Sequence, residues 1–286
     1  MTMLKKNLKR ILCTALALTG IVACTGTLTA CETAHPEVEM KIEFNGKTYT
    51  LEYELYRKIA PATVEHFITL AEKGYYNGLC VHDYTASKLY TGAYTYENDA
   101  LVYKKYYEIV EKYNLPDSVW VDKNKSESTD TLYGEFYANG GFTVENGALK
   151  QSFGSLTMYY TPKSVDNEVY IERHNGKGMT TRSYKYNSAT SQFFISLAET
   201  EVTDNNYCTF ATLDSKSKDD LKSLMSAIDK YIADNYTEED DSETFAPETE
   251  IEVDEDDRFV GDKNNEATYH VPQKPIVIKK VSVNKY

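Results

Sequence analysis

His82 and Asp83 stand side by side after the apolar run Leu79-Cys80-Val81 and before the polar stretch Thr85-Ala86-Ser87. An imidazole next to a carboxylate suggests acid–base work, provided both groups can reach one substrate. Here they cannot do so easily. The run reads as a strand, and neighbouring strand side chains point to opposite faces. The chain also has no Gly-x-Ser-x-Gly turn to present a nucleophile. His82 is therefore read as structural. Other reactive groups are equally unpromising as chemistry. The chain has five cysteines but no Cys-x-x-Cys pair and no Cys/His cluster, so a zinc site is not expected. Cys80 and Cys208 could form a disulfide in an exported protein, but the reading adopted is two buried free thiols. Residues 238–257 carry 12 acidic residues and no Lys or Arg, without the spaced ligands and glycine of a calcium loop. This tract is expected to be a solvated insert. It also accounts for the net charge of −13, since the other 32 acids face 31 bases. That balance argues against a nucleic-acid partner.

The elements that would position such residues are mostly short strands. Val38, Met40, Ile42 and Phe44 alternate with polar residues. Asn45-Gly46 then turns the chain into Tyr49, Leu51, Tyr53 and Leu55, a hairpin with one buried face. Pro61 opens a helix whose stripe is Val64, Phe67, Ile68 and Ala71, and Gly74 ends it. Strands are expected at 75–82, 131–136, 153–160, in Ser191–Ala198, in Cys208–Leu213 and at the C-terminal PIVIKKVSV. Residues 99–114 read as an amphipathic helix. Ser217 is expected to cap a second helix with Leu221, Leu224, Met225, Ile228 and Ile232 as its stripe. No period is visible in 161–190. The 25 tyrosines could form a contact surface for polypeptide or glycan, but the reading adopted is ordinary strand positions. A closed sheet with two helices is the economical solution, because closure removes exposed edges.

The N-terminus reads as an export signal. Lys5, Lys6, Lys9 and Arg10 precede the apolar stretch ILCTALALTGIVA, which is short for a membrane span. Leu28-Thr29-Ala30-Cys31 resembles a bacterial lipobox, with Cys31 as the lipidated residue and Cys24 as the alternative. Lipidation would hold the protein at the outer face of the cell membrane by its acyl chains alone.

Five stretches, in order, resemble the cyclophilin family of peptidyl-prolyl isomerases in its bacterial form. They are APATVEHFITLAEKGYYNGL (60–79), GEFYANGGF (134–142), GSLTM (154–158), NSATSQFFISLAETEVTDNNYCTF (187–210) and the C-terminal KPIVIKKVSV. The resemblance implies a mainly β fold, a closed eight-stranded antiparallel β-barrel capped by two helices. Residues 1–30 would be a signal peptide and 31–37 a tether. Residues 38–286 would be the domain, with an inserted helix and loops at about 94–131, 159–187 and 234–270.

The resemblance also implies a site, and this sequence departs from it. Val81-His82-Asp83 falls on the family's Phe-His-Arg, so Asp83 stands where the catalytic arginine is expected. Lys88, Leu89 and Thr91 fall on the Phe, Met and Gln of the pocket, and Gly92 alone remains of a glycine pair. Phe194 falls on the floor of the proline pocket, with Gln192, Met158, Phe210, Tyr207 and His82 around it. Tyr159-Tyr160 replaces the usual Ala-Asn. The implied reaction is rotation about X-Pro bonds of exported polypeptides, by a monomer without a cofactor. Its barrier, ~18–20 kcal/mol, is the loss of amide resonance. A cationic donor aimed at the prolyl nitrogen is stabilised more in the twisted state than in the ground state. Ionised Asp83 only accepts hydrogen bonds and would repel the developing lone pair. Weak isomerisation is therefore expected, and binding of polypeptide without turnover, as a chaperone or scaffold, is the alternative. Arg173 and Arg182, in a segment longer than the family loop, are candidate replacement donors. The favoured reading is that both are solvated loop residues. A solute-binding lipoprotein fits poorly, because no pair of α/β lobes is visible.

Overall fold

A computed structural model describes residues 33–104, 106–113, 115, 118–139, 149–160, 168–173, 176–184, 189–236, 245–252 and 266–286. The candidate signal peptide with Cys24 and Cys31 lies outside the described residues. So does most of the acidic tract. No helix among the described residues is long and apolar enough to cross a membrane.

The elements run β1 (Glu37–Phe44), β2 (Lys47–Leu55), α1 (Pro61–Glu72), β3 (Asp83–Tyr84), β4 (Lys88–Thr91), β5 (Tyr94–Glu97), β6 (Ala100–Tyr103) and α2 (Tyr106–Tyr113). They continue with β7 (Leu156–Tyr160), β8 (Glu168–Glu172), β9 (Met179–Ser183), β10 (Ala189–Ser196), β11 (Cys208–Leu213) and α3 (Ser217–Asn235). The last three are β12 (Glu248–Glu252), β13 (Glu266–His270) and β14 (Val277–Lys285). Eight strands form one antiparallel sheet in the order β14-β1-β2-β11-β7-β10-β4-β3. The segment that leads into β3 bonds to β14 at the other end of the sheet and to the residue before it: Gly78 N–H donates to Ile278 O (2.7 Å), Ile278 N–H to Leu79 O (2.7 Å) and Val81 N–H to Ile276 O (2.9 Å). The mainly β architecture with a curled eight-stranded sheet is thus the expected one.

Local chemistry explains the framework. Asn45 and Gly46 both take positive φ (48° and 79°), as the tight β1–β2 turn requires. The predicted alternation is observed, with Val38, Met40, Ile42 and Phe44 buried and facing the core. The α1 stripe buries Val64, Phe67, Ile68 and Ala71. Phe67 meets Phe193 at 5.5 Å and Phe210 at 5.2 Å between ring centroids, so this helix seals the sheet's inner face. The N-terminus of α1 is capped from far along the chain. Glu135 is buried, and its two carboxylate oxygens accept from the Ala62 and Thr63 N–H groups at 3.1 and 2.7 Å. At Gly92, φ is 101°, and a Cβ would lie 2.4 Å from Ser191 O, so β4 leaves the sheet where only glycine fits.

Several local expectations need correction. Residues 99–114 are not one helix: β6 pairs with β5, and the helix begins at Tyr106. Apolar Leu101 and Tyr103 satisfy a strand's two-residue period as readily as a helix stripe. Residues 131–136 form no strand beyond a bridge between Leu132 and Ala189. The strand expected at 75–82 is absent beyond a bridge at Cys80, regular pairing beginning only at Asp83–Tyr84, although 78–81 bond to β14 and to the residue before it. Ser217 is the first residue of α3 and does not cap it; its Oγ accepts from Glu52 N–H at 2.9 Å, tying the helix to β2. Part of the acidic tract is β12, paired with β13. The stretch 161–190, which had no visible period, holds the β8–β9 hairpin. Each of the three stretches set apart from the family pattern thus carries its own two-stranded sheet, β5–β6, β8–β9 or β12–β13.

Candidate functional site

Register brings the candidate residues together. Phe194 on β10 is paired with Tyr90 on β4 and Thr157 on β7, and antiparallel partners share a face. Two-residue steps add Lys88 and Gln192 to that face, while Tyr207 enters just before β11. The result is an aromatic cluster. Tyr90 lies 5.3 Å from Phe194 and 4.9 Å from Tyr159 between centroids. Tyr207 meets Phe194 edge-on at 5.6 Å. Tyr159, Tyr160 and Tyr207 form a stack with spacings of 5.3 and 5.0 Å and planes within 20°. The Tyr160 hydroxyl donates to the Tyr207 hydroxyl at 3.1 Å.

The Lys88 ammonium lies on this cluster. Its Nζ is 4.4 Å from the Phe194 centroid, 5.2 Å from Tyr207 and 5.8 Å from Tyr90. Such contacts stabilise by about 0.5–2 kcal/mol as they become desolvated. Burial pulls the Lys88 pKa below its ordinary value, with Asp204 opposing the shift. Burial, with repulsion from neighbouring phenols, raises Tyr159 to about 12 and Tyr207 further. The phenols therefore stay protonated and serve as hydrogen-bond donors, not as bases. Phe194 has no exposed surface in this arrangement. An incoming ring reaches it only after Lys88 or a tyrosine moves.

Asp83 shares the face of Tyr90, its strand partner. Its Oδ1 accepts from the His270 main-chain N–H at 2.9 Å and lies 3.3 Å from His270 Nδ1. Asp83 thus anchors β13.

The remaining sequence candidates lie elsewhere. Leu89, Met158 and Phe210 are buried in the main core on the opposite face of the sheet. Thr91 is buried, and its hydroxyl donates to Cys80 O at 2.8 Å. His82 is 1% exposed and packs between Tyr94 (4.9 Å) and Tyr269 (5.0 Å), away from Phe194. Neither of its ring nitrogens has a hydrogen-bond partner. Arg173 and Arg182 keep their guanidinium groups on the β8–β9 hairpin. Arg173 Nε donates to Met179 O, and Arg182 Nη1 donates to Thr181 O and Thr180 Oγ1. Gln192 does flank Phe194, and its Oε1 is buried without a partner. Cys80 and Cys208 are free and buried. Sequence reasoning missed Tyr90 and the Lys88 charge as members of the site. The alternation Lys88-x-Tyr90 was the available signal. No signal pointed to His270, which lies 187 residues from its partner.

A curled eight-stranded antiparallel sheet, with a helix packed on its inner face, is the architecture on which the family assignment rests. The chain matches the model of the "Cyclophilin type peptidyl-prolyl cis-trans isomerase/CLD" family over residues 39–251, and it belongs to that family. Among solved structures, a cyclophilin-type isomerase of Cryptosporidium parvum is similar at 16% identity, over 88% of this chain and 99% of that one, with a TM-score of 0.42. The same isomerase in the presence of the dipeptide Ala-Pro gives 16% identity, 87% and 99% coverage and a TM-score of 0.42. The Mimivirus cyclophilin gives 14% identity, 89% and 92% coverage and a TM-score of 0.41. No curated protein matches the sequence.

Proposed function

We propose that this chain is a peptidyl-prolyl cis-trans isomerase of low activity. Its substrates are X-Pro bonds of exported polypeptides, and it works from a lipid anchor on Cys31, or Cys24, at the outer face of a bacterial cell membrane. Family membership over most of the chain supports the reaction class. The observation that carries the site is Phe194, walled by Tyr90 and Tyr207, with the unpartnered Gln192 oxygen beside it. An apolar floor grips a proline ring, and a buried acceptor without a donor gains about 1–3 kcal/mol when a substrate N–H satisfies it. The low activity follows from Asp83, which offers no positive charge and is engaged by His270. It follows also from the cover on Phe194. Displacing a contact of about 1.4 kcal/mol weakens apparent affinity tenfold.

One observation favours a second reading, a monomeric chaperone or scaffold that binds proline-containing or extended segments without turnover. The arginine position is occupied by a carboxylate with a structural task. NMR exchange on an Ala-Pro model peptide separates the two, using the parent and Phe194→Ala. Acceleration lost in the variant supports the isomerase. Binding without acceleration supports the scaffold. Neither binding nor acceleration would remove this face from consideration.

A further inference from the structure

The isomerase reading leaves one chemical role unfilled. Rotation about the X-Pro bond returns a lone pair to the prolyl nitrogen, and a positive donor there lowers the barrier. Asp83 cannot supply it, and Arg173 Nε and Arg182 Nη1 donate to their own hairpin. Lys88 is different in kind. Its Nζ lies over the Phe194 ring, 4.4 Å from the centroid, and within 6 Å of the centroids of two further rings. Rings hold the ammonium; among the described residues it makes no hydrogen bond or close ion pair, and the Asp204 carboxylate acts on it only from a distance.

Resting on that reading, we infer that Lys88 is the catalytic cation of this site. It covers Phe194 in the free protein. When a proline ring displaces it, its flexible four-carbon stem keeps the ammonium beside the ring, where it donates a hydrogen bond to the nitrogen as the amide twists. No covalent bond forms or breaks, and the proton stays on Lys88. Half-burial pulls the ammonium's pKa down, against the opposing pull of Asp204, and a more acidic ammonium is a better hydrogen-bond donor. One side chain thus acts both as cover and as donor. That explains how a site without the arginine can turn over, and why it does so slowly.

The test measures kcat/KM on an Ala-Pro model peptide and the peptide's Kd, using the full chain and its Lys88→Met and Lys88→Arg variants. Methionine keeps most of the length and removes the charge. The expected result is a loss on the order of 10²-fold in kcat/KM for Lys88→Met, the size of one missing electrostatic contact. Its Kd should be unchanged or tighter, since nothing charged competes for Phe194. Lys88→Arg should retain most of the rate. The parent should lose activity at alkaline pH as the ammonium deprotonates, and Lys88→Arg should not. A Lys88→Met enzyme as fast as the parent overturns the inference and leaves the isomerase reading standing. Equal losses of rate and binding overturn it in favour of a structural role. A parent that binds but does not accelerate rotation overturns both.

Discussion

His82 should make this protein acid-labile. The ring is 1% exposed, both nitrogens lack partners, and burial alone lowers its pKa from 6.5 to about 3. His66, hydrogen-bonded through Nε2 to the Tyr106 hydroxyl, is lowered to about 4, again chiefly by burial. Both rings are neutral when folded, whereas the unfolded chain takes up protons near pH 6.5. The folded pKa values are depressed, so the stability is fully present above about 6.5 and is lost as pH falls toward 4 and then 3. A tenfold difference in proton affinity between the folded and unfolded chain corresponds to about 1.4 kcal/mol. Between pH 7 and 5 each histidine should therefore cost about 2 kcal/mol of folding stability. His82→Phe replaces the ring with one of similar shape that cannot titrate. The relief of two unpartnered nitrogens and the extra volume act oppositely at pH 7, so the pH slope is the quantity to read. Urea unfolding at pH 7 and pH 5, followed by circular dichroism and by Trp120 fluorescence, should show about half the parent's pH-dependent loss in the variant. An unchanged slope, or a His82 ring that titrates near 6.5 by NMR in the folded protein, would refute the reasoning.

Two further perturbations probe the elements that hold the site. Glu135→Ala removes the carboxylate that caps α1 and leaves two buried N–H groups unsatisfied. It should lower stability by about 2 kcal/mol in urea unfolding, and an unshifted midpoint would contradict the cap. Burial raises the Glu135 pKa, so its own contribution falls as pH rises from the ordinary carboxyl range through the folded value, opposite in sign to the histidines. Asp83→Ala should release β13. Hydrogen exchange at the His270 amide should quicken on the order of 10-fold while the core amides of β1 and β2 keep their rates, and unchanged exchange at His270 would mean that Asp83 anchors nothing.

Local signals made the frame legible. Alternation in β1 and β2, the Asn45-Gly46 turn, the α1 stripe and the dense Phe193-Phe194-Ile195 run each specify their element without help from the rest of the chain. The resemblance singled out Gly92 and Phe194, and the structure puts Gly92 where β4 ends against Ser191 and Phe194 beneath Lys88 and Tyr90. Signals failed where two periods fit equally well, as at Leu101 and Tyr103, or where a short strand is held only by its partner, as in β8–β9 and β12–β13.

The sequence by itself determined which residues occupy each position: a carboxylate at 83, a lysine at 88 and tyrosines at 159, 160 and 207. Only the tertiary structure decided what those residues do. Strand register sets Lys88 over Phe194, and the pairing of β12 with β13 carries His270 to Asp83. Contacts across more than a hundred residues depend on how strands pair and close, and no local period encodes that.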